Sequence, residues 1–388
     1  MEHFIENDKQ YVANTYGRFN VELISGNGAE LTDVDGKKYI DLGSGIAVNT
    51  FGINDTEWKN AVIEQLNLIQ HTSNLYYSKP CVELAKLLCE KSGMKKVFFG
   101  NSGAEANECA IKVARKYAAE KKGRDCFNII TLENSFHGRT VTTLAATGQD
   151  VFHKDFQPLT QGFLHSPAND LDAMKKLVAE NKIAAIMIEC VQGEGGVNPL
   201  IPEFVKGIYD LAQAQDILLI VDEVQTGNGR TGEMYAYQNY GITPDIVSTA
   251  KGLGGGLPLG ATLLGEKTEF VLGYGDHGST YGGNPIACAG AVSVIGRMNK
   301  EFLDSVKAKS KLVFETLADS KGIESVSGMG LMIGIKTEKP AKEIVIKCME
   351  RGVLCLTAKD KVRLLPALNI DEATLTEALE IIKSVCAE

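Results

Sequence analysis

Five short segments of the chain are almost continuously apolar and rich in branched residues: Val97–Phe99, Phe127–Leu132, Ile183–Glu189, Ile217–Val221 and Ile246–Thr249. Runs of this length without polar alternation predict strands covered on both faces. Between them lie stretches with helical spacing. In Ala104–Glu120 the residues Cys109, Ala110, Val113, Ala114, Tyr117 and Ala118 share one stripe, while Lys112, Arg115 and Lys116 face away. Leu171–Glu180 and Phe204–Gln215 repeat that pattern. Strands alternating with helices predict a mostly parallel α/β sheet. The ends differ. Ala29–Asp41 predicts a hairpin turning at Asp35-Gly36. From about Pro285, the helical patterns Ala287–Met298, Leu303–Ala318, Lys342–Arg351 and Asp371–Cys386 enclose short strands at Leu331–Ile335 and Val362–Leu365, an α+β layout. The expected division is an N-terminal segment 1–55, a large α/β domain 56–290 and a C-terminal small α+β domain 291–388, with both termini contributing to the small domain.

Charge narrows the partners. The chain of 388 residues has a formal charge of −9, which argues against a nucleic-acid surface. No run of about 18 apolar residues predicts a membrane span. The acidic start lacks the basic flank and apolar stretch of a signal peptide. Nine cysteines without a CxxC pair suit a reducing compartment, so a cytoplasmic protein is expected.

Three segments carry candidate chemistry, each at the end of an expected strand. Gly100-Asn101-Ser102-Gly103-Ala104 opens the long helix, where free N–H groups and the helix dipole favour an anion; a plain cap on Ser102 is the simpler alternative. Asp222-Glu223-Val224-Gln225 follows a buried strand, where an ionised aspartate wants a cation, either a metal or a protonated ring nitrogen. Lys251 follows another strand and precedes Gly252, Gly254, Gly255 and Gly256, an order that is neither a P-loop nor a dinucleotide fingerprint. A lysine buried there gains nucleophilic character toward a carbonyl. Taken together, an anion-binding helix start, an aspartate and a lysine suit a phosphorylated pyridine aldehyde and no metal.

With these motifs the chain resembles the fold-type I pyridoxal-phosphate aminotransferases, and within them the class III group. The likeness runs from Tyr11-Val12-Ala13-Asn14 to Val362-Arg363-Leu364. It includes His71-Thr72-Ser73-Asn74-Leu75-Tyr76-Tyr77, Ser135-Phe136-His137-Gly138-Arg139-Thr140 and His277-Gly278-Ser279-Thr280-Tyr281-Gly282-Gly283-Asn284-Pro285. The resemblance implies pyridoxal 5'-phosphate (PLP) as cofactor. It implies Lys251 as the amine that condenses with the cofactor aldehyde and shuttles the proton, and Asp222 as partner of the ring nitrogen. Gln225 is placed on the phenolic oxygen, with Glu223 and Val224 beside it. Ser102, Gly103 and Ala104 are placed on the phosphate, and Phe136 on the ring face. Thr280, with Ser279 next to it, is expected to reach the cofactor of a second subunit, which implies a homodimer. Arg139 and Arg363 match carboxylate binders, and Glu194 a gate that neutralises Arg363. The implied reaction exchanges an amino group between acetylornithine and 2-oxoglutarate, in arginine biosynthesis. Other amine donors of the class are 4-aminobutyrate, ornithine and succinyldiaminopimelate, and an aminomutase or racemase is the rival reading.

The chain also departs from the family pattern. Phe51-Gly52-Ile53-Asn54-Asp55-Thr56-Glu57 replaces a common Gly-His-x-x-Pro-like turn, which leaves open the shape of a loop expected to border the substrate. Cys190 stands where a proline is usual, and His137 reads as a packing residue.

Overall fold

The computed structural model describes residues 3–388; the start of the segment read above for a signal peptide, residues 1 and 2, lies outside them. At its centre is a sheet of seven strands in the order Lys96–Gly100, Gly260–Leu264, Ile246–Thr249, Leu218–Asp222, Ile183–Ile188, Asn128–Leu132 and Phe163–Ser166. The last five run parallel, and Gly260–Leu264 is antiparallel to both of its neighbours. All five expected strands are present, so the α/β expectation holds. The sequence reading missed Gly260–Leu264 and Phe163–Ser166, which are short and, in the second case, half polar.

Alternation along each strand explains why these runs are apolar throughout. Ile129, Ala185, Met187, Leu218, Ile220 and Ile246 pack with Cys109, Ala110, Val113, Ala114 and Tyr117 of the helix Gly103–Lys121. Ile130, Leu132, Ile186, Ile188, Leu219, Val221 and Val247 point to the opposite face, under Phe204, Val205 and Ile208 of the helix Pro202–Ala214. Each of the Ile, Leu, Met and Val side chains contributes about 2 kcal/mol by leaving water, and a polar residue in its place would forfeit it.

Flanking sheets join the two ends of the chain. Leu23–Asn27, Glu30–Asp33 and Lys38–Asp41 form an antiparallel sheet with the expected hairpin, and Val353–Leu354 adds to Lys38–Asp41 in parallel. Ile323–Met329, Met332–Thr337, Lys361–Leu364 and Leu356–Ala358 form a second sheet in that order. The helix Pro285–Gly296 runs unbroken across residues 290 and 291 and packs against Thr56–Leu68 and Lys79–Ser92, two helices absent from the sequence reading. No helix among the described residues is long and apolar enough to cross a membrane.

The unusual loop at 50–57 is well packed. Phe51 is buried against Phe302, with the Arg297 guanidinium 3.7 Å above its ring. Asp55 caps the helix Thr56–Leu68 through the Trp58 N–H at 2.9 Å and takes Arg297 with both carboxylate oxygens. Residues 51–55 do not line the cavity of about 470 Å³ at the edge of the central sheet, against the expectation that this loop borders the substrate; Val48, which precedes the loop, does line it.

Candidate active site

Parallel strands bring Gly100, Leu132, Ile188, Asp222 and Thr249 to one edge of the sheet, where open α/β folds bind ligands. A cavity of about 470 Å³ opens there, lined among others by Ser102, Gly103, Ala104, Phe136, Arg139, Asp222, Val224, Gln225 and Lys251. Helix, strand and loop each place one wall.

Ser102 caps the helix Gly103–Lys121, its hydroxyl accepting the Glu105 N–H at 3.2 Å. The N–H groups of Gly103 and Ala104 find no protein acceptor among the described residues and lie at the positive end of a 19-residue helix. Glycine is required at 103, because a Cβ there would stand 2.6 Å from a Val224 methyl.

Asp222 lies deeper. Even-numbered positions of its strand face the helix Gly103–Lys121, so its carboxylate meets that helix. Its Oδ2 accepts Asn107 Nδ2 at 2.8 Å and lies 2.8 Å from His137 Nδ1; its Oδ1 accepts the Val224 N–H at 3.0 Å. His137 is buried, and burial opposes its charge, yet the hydrogen bond and charge of Asp222, with Glu189 behind, hold the imidazole above its ordinary range. The packing role read for His137 is thus corrected: the ring is the aspartate's partner. Asn107 and Glu189 were missed as well. Asn107 left one signal, a polar residue one position from Ala106 on an otherwise apolar stripe. Glu189 Oε2 accepts the Phe136 N–H at 2.9 Å and its Oε1 the Gly193 N–H at 3.3 Å, and burial pushes its carboxyl up to about 7.

Glu223, one residue beyond Asp222, points to the other face. It takes the Thr226 hydroxyl at 2.6 Å and the Tyr237 N–H at 2.9 Å, and burial raises it to about 7. It does not line the cavity, so its expected place beside the cofactor is corrected to a support under the Asp222–Gln225 turn.

Lys251 sits on the opposite wall with φ of +47°, a left-handed backbone that non-glycine residues adopt at a cost. Burial draws its amine below the ordinary lysine range, against the carboxylates of Glu194 and Asp222, which favour the charge. Arg363 comes from the C-terminal sheet. Its Nη1 donates to Glu194 Oε1 at 2.6 Å and to Gln225 Oε1 at 3.1 Å, so the Gln225 amide joins this ion pair to the cavity. Burial would raise the Glu194 carboxyl, but the charge and hydrogen bond of Arg363 bring it below the usual range. Arg139 lies at the mouth, exposed, 4.0 Å above the Phe152 ring and 5.6 Å from that of Phe136, with no carboxylate partner among the described residues. Ser279 accepts Asn101 Nδ2 at 3.1 Å, one residue from Ser102, and Thr280 is exposed; neither lines the cavity of its own chain.

These residues fit a phosphorylated pyridine aldehyde. The free N–H groups suit its phosphate and the cavity suits its size. Among the described residues the one ion-pair partner of the buried Asp222 carboxylate is His137, and no lysine or arginine lies within ion-pair distance, so the carboxylate would suit a protonated ring nitrogen on its cavity side. Lys251 offers an amine at a strand end.

The aminotransferase class-III family model matches residues 11–386. The chain is 50% identical over 383 residues to the acetylornithine aminotransferase of Haemophilus ducreyi, covering 98% of each chain. It is 44% identical to that of Methanocaldococcus jannaschii, covering 100% of this chain and 98% of the other. Among solved structures, the N-acetylornithine aminotransferase of Stenotrophomonas maltophilia superposes with a TM-score of 0.86 at 35% identity, over 99% of this chain and 98% of that one. The ornithine aminotransferase of Toxoplasma gondii gives 0.94 at 30%, over 99% and 94%. With residues 11–386 matched and a site whose donors suit the cofactor, the chain belongs to the class III aminotransferases and is a PLP-dependent transaminase.

Proposed function

We propose that the enzyme transfers the δ-amino group of N-acetylornithine to 2-oxoglutarate, giving N-acetylglutamate 5-semialdehyde and glutamate in arginine biosynthesis. The observation that carries this reading is the Arg363–Glu194–Gln225 group at the edge of the cavity. An arginine covered by a removable carboxylate suits a site that must accept an amine without an α-carboxylate and then a dicarboxylate. A mutase or racemase has no need of such a cover. The names of the relatives at 40–50% identity point the same way.

When bound, PLP supplies an aldehyde that takes up the amino group and a ring that draws off the electrons left by the departing proton. The chain supplies the rest. Lys251 presents its amine to the aldehyde and then carries the proton. Asp222, held by His137 and Asn107, keeps the ring nitrogen charged. Gly103 and Ala104 N–H groups, with the Ser102 hydroxyl, hold the phosphate, and Phe136 and Val224 enclose the ring. Arg139 takes the carboxylate of acetylornithine. Arg363 takes the α-carboxylate of 2-oxoglutarate once Glu194 withdraws, and a guanidinium fork suits each.

We propose three further properties of the enzyme. The enzyme is a homodimer in which Thr280 and Ser279 reach the neighbouring subunit's cofactor phosphate; the exposed Leu75, Tyr76, Tyr77, Tyr274 and Tyr281 support a covered face. The chain divides into a large domain, 56 to about 290, and a small domain from both termini, with the helix Pro285–Gly296 as the connection. Nine unpaired cysteines support a cytoplasmic setting.

Glutamate formation tests the substrate. Purified enzyme with 2-oxoglutarate should yield glutamate with a higher kcat/KM from acetylornithine than from ornithine, 4-aminobutyrate or succinyldiaminopimelate. A higher value with any of the other three overturns the choice of donor.

A further inference from the structure

Lys251 has a left-handed backbone, and the carbonyls of the residues before and after it, Ala250 and Gly252, are both tied down. The Ala250 carbonyl accepts Asn228 Nδ2 at 3.1 Å, and the same amide nitrogen lies 2.9 Å from the Thr249 hydroxyl. The Gly252 carbonyl accepts the Thr50 hydroxyl at 2.9 Å. Thr50 is 2% exposed, so no water competes for this bond. Residue 252 is glycine for a local reason: a Cβ there would lie 2.8 Å from the Thr50 Oγ1.

Thr50 also has a second attachment. Its own carbonyl accepts the Leu368 N–H at 2.9 Å. Leu368 ends a segment held from several sides. The Leu365 carbonyl takes the Ser44 hydroxyl at 2.5 Å, the Pro366 carbonyl takes Arg230 Nη1 at 2.6 Å, and the Leu368 carbonyl takes Lys309 Nζ at 2.8 Å. That segment continues directly from the strand Lys361–Leu364, which carries Arg363. One threonine therefore fastens the turn bearing the lysine to the segment behind the carboxylate-binding arginine.

We propose that Thr50 is a positioning residue for Lys251. Its hydroxyl fixes the Gly252 carbonyl, which keeps the strained turn in the one conformation that aims the amine into the cavity, in register with Arg363. The proposal rests on the reading of Lys251 as the amine that joins the cofactor. A positioning bond of this kind acts on the reacting geometry more than on substrate affinity.

The test compares Thr50→Val, which keeps the shape and removes the donor, with Thr50→Ser, which keeps the donor, in the holoenzyme. The visible absorbance of the bound cofactor is titrated against pH, and single-turnover rates are measured with acetylornithine. Thr50→Val should shift the midpoint of the titration and slow the single turnover about tenfold, with KM for both substrates near the wild-type value. Thr50→Ser should restore both. A Thr50→Val enzyme that titrates like wild type overturns the proposal even if its apoprotein melts earlier, because that outcome marks a purely structural contact. So does a Thr50→Ser enzyme as slow as Thr50→Val. If Thr50→Val fails to fold, Thr50→Ser carries the test with Thr50→Ala, whose titration midpoint should move while that of Thr50→Ser stays. A wild-type holoenzyme that retains the cofactor but has no visible imine band overturns the reading of Lys251 itself, a failure separate from that of Thr50.

Discussion

The cavity has a rear and a mouth, built on different physical terms. At the rear, Asp222, His137 and Asn107 are buried and joined by hydrogen bonds of 2.8 Å, and the buried Glu189 behind them is fixed by the Phe136 N–H at 2.9 Å. At the mouth, Arg139 rests exposed on aromatic rings without a charged partner. Arg363, between the two, is buried but covered by Glu194, which is itself partly exposed. The rear suits a group that never leaves, and the mouth suits groups that exchange in every cycle. Fixed chemistry calls for buried, fully paired charges. Exchanging substrates call for charges whose partners can be displaced.

Substitutions of the two groups that face the cofactor's reacting atoms, Lys251 and the rear residue Asp222, should give the largest effects. Lys251→Ala is expected to lower single-turnover rates on the order of 10⁴-fold or more while cofactor retention, measured by released PLP, persists. Appreciable turnover would mean that another group moves the proton. Asp222→Asn should cost about 10³-fold in kcat with little change in KM, since it removes the charge and leaves His137 paired to a neutral amide. A purely structural role for Asp222 would show instead as lost protein with normal turnover per folded molecule.

At the mouth the losses should be smaller and divided between substrates. Arg363→Ala should raise KM for 2-oxoglutarate by up to about 3 kcal/mol, the size of a lost charged hydrogen bond, and affect acetylornithine far less. Arg139→Ala should do the reverse. Steady-state kinetics with each substrate varied checks both, and equal effects on the two substrates would remove the distinction between the arginines.

The finest comparison sets Asp222 against its neighbour Glu223. Burial raises Glu223 from 4.5 to about 7, so the folded apoprotein binds this proton more tightly than the unfolded chain does. Its contribution is present below pH 4.5 and is lost as pH rises toward 7, at up to about 1.4 kcal/mol per pH unit. Glu189 titrates in the same window. Glu223→Gln should therefore reduce this slope to roughly half, as urea unfolding of the apoprotein at several pH values would measure. An unchanged slope would mean that Glu223 is not the buried acid described.

Three walls of the cavity were legible in the sequence, the Ser102–Ala104 helix start, Asp222 and Lys251, because each lies at the end of a strand that announces itself as an apolar run, whereas the partners of Asp222 were not. Even the divergence of Asp222 and Glu223 follows from strand alternation, since Leu218 and Ile220 face one helix while Leu219 and Val221 face away. What stayed hidden depends on distant segments meeting. His137 finds Asp222 across 85 residues, Thr50 finds Gly252 across 202, and Arg363 finds Glu194 across 169. For the Arg363–Glu194 pair, family resemblance supplied what local pattern could not. For His137 and Thr50 nothing in the local sequence named the partner. The antiparallel strand Gly260–Leu264 escaped because three of its five residues, Gly260, Ala261 and Thr262, are small or polar. It can nonetheless lie against Lys96–Gly100, with glycine at 260 because a Cβ there would meet the Ser102 carbonyl at 2.1 Å.

Borohydride reduction of freshly isolated holoenzyme, followed by peptide mass mapping, addresses the covalent centre of this site. The pyridoxyl group should be found on Lys251 and on no other lysine, with the label lost in Lys251→Ala. Label on a different lysine, or an unmodified Lys251 in enzyme that retains the cofactor, would contradict the assignment of the cavity.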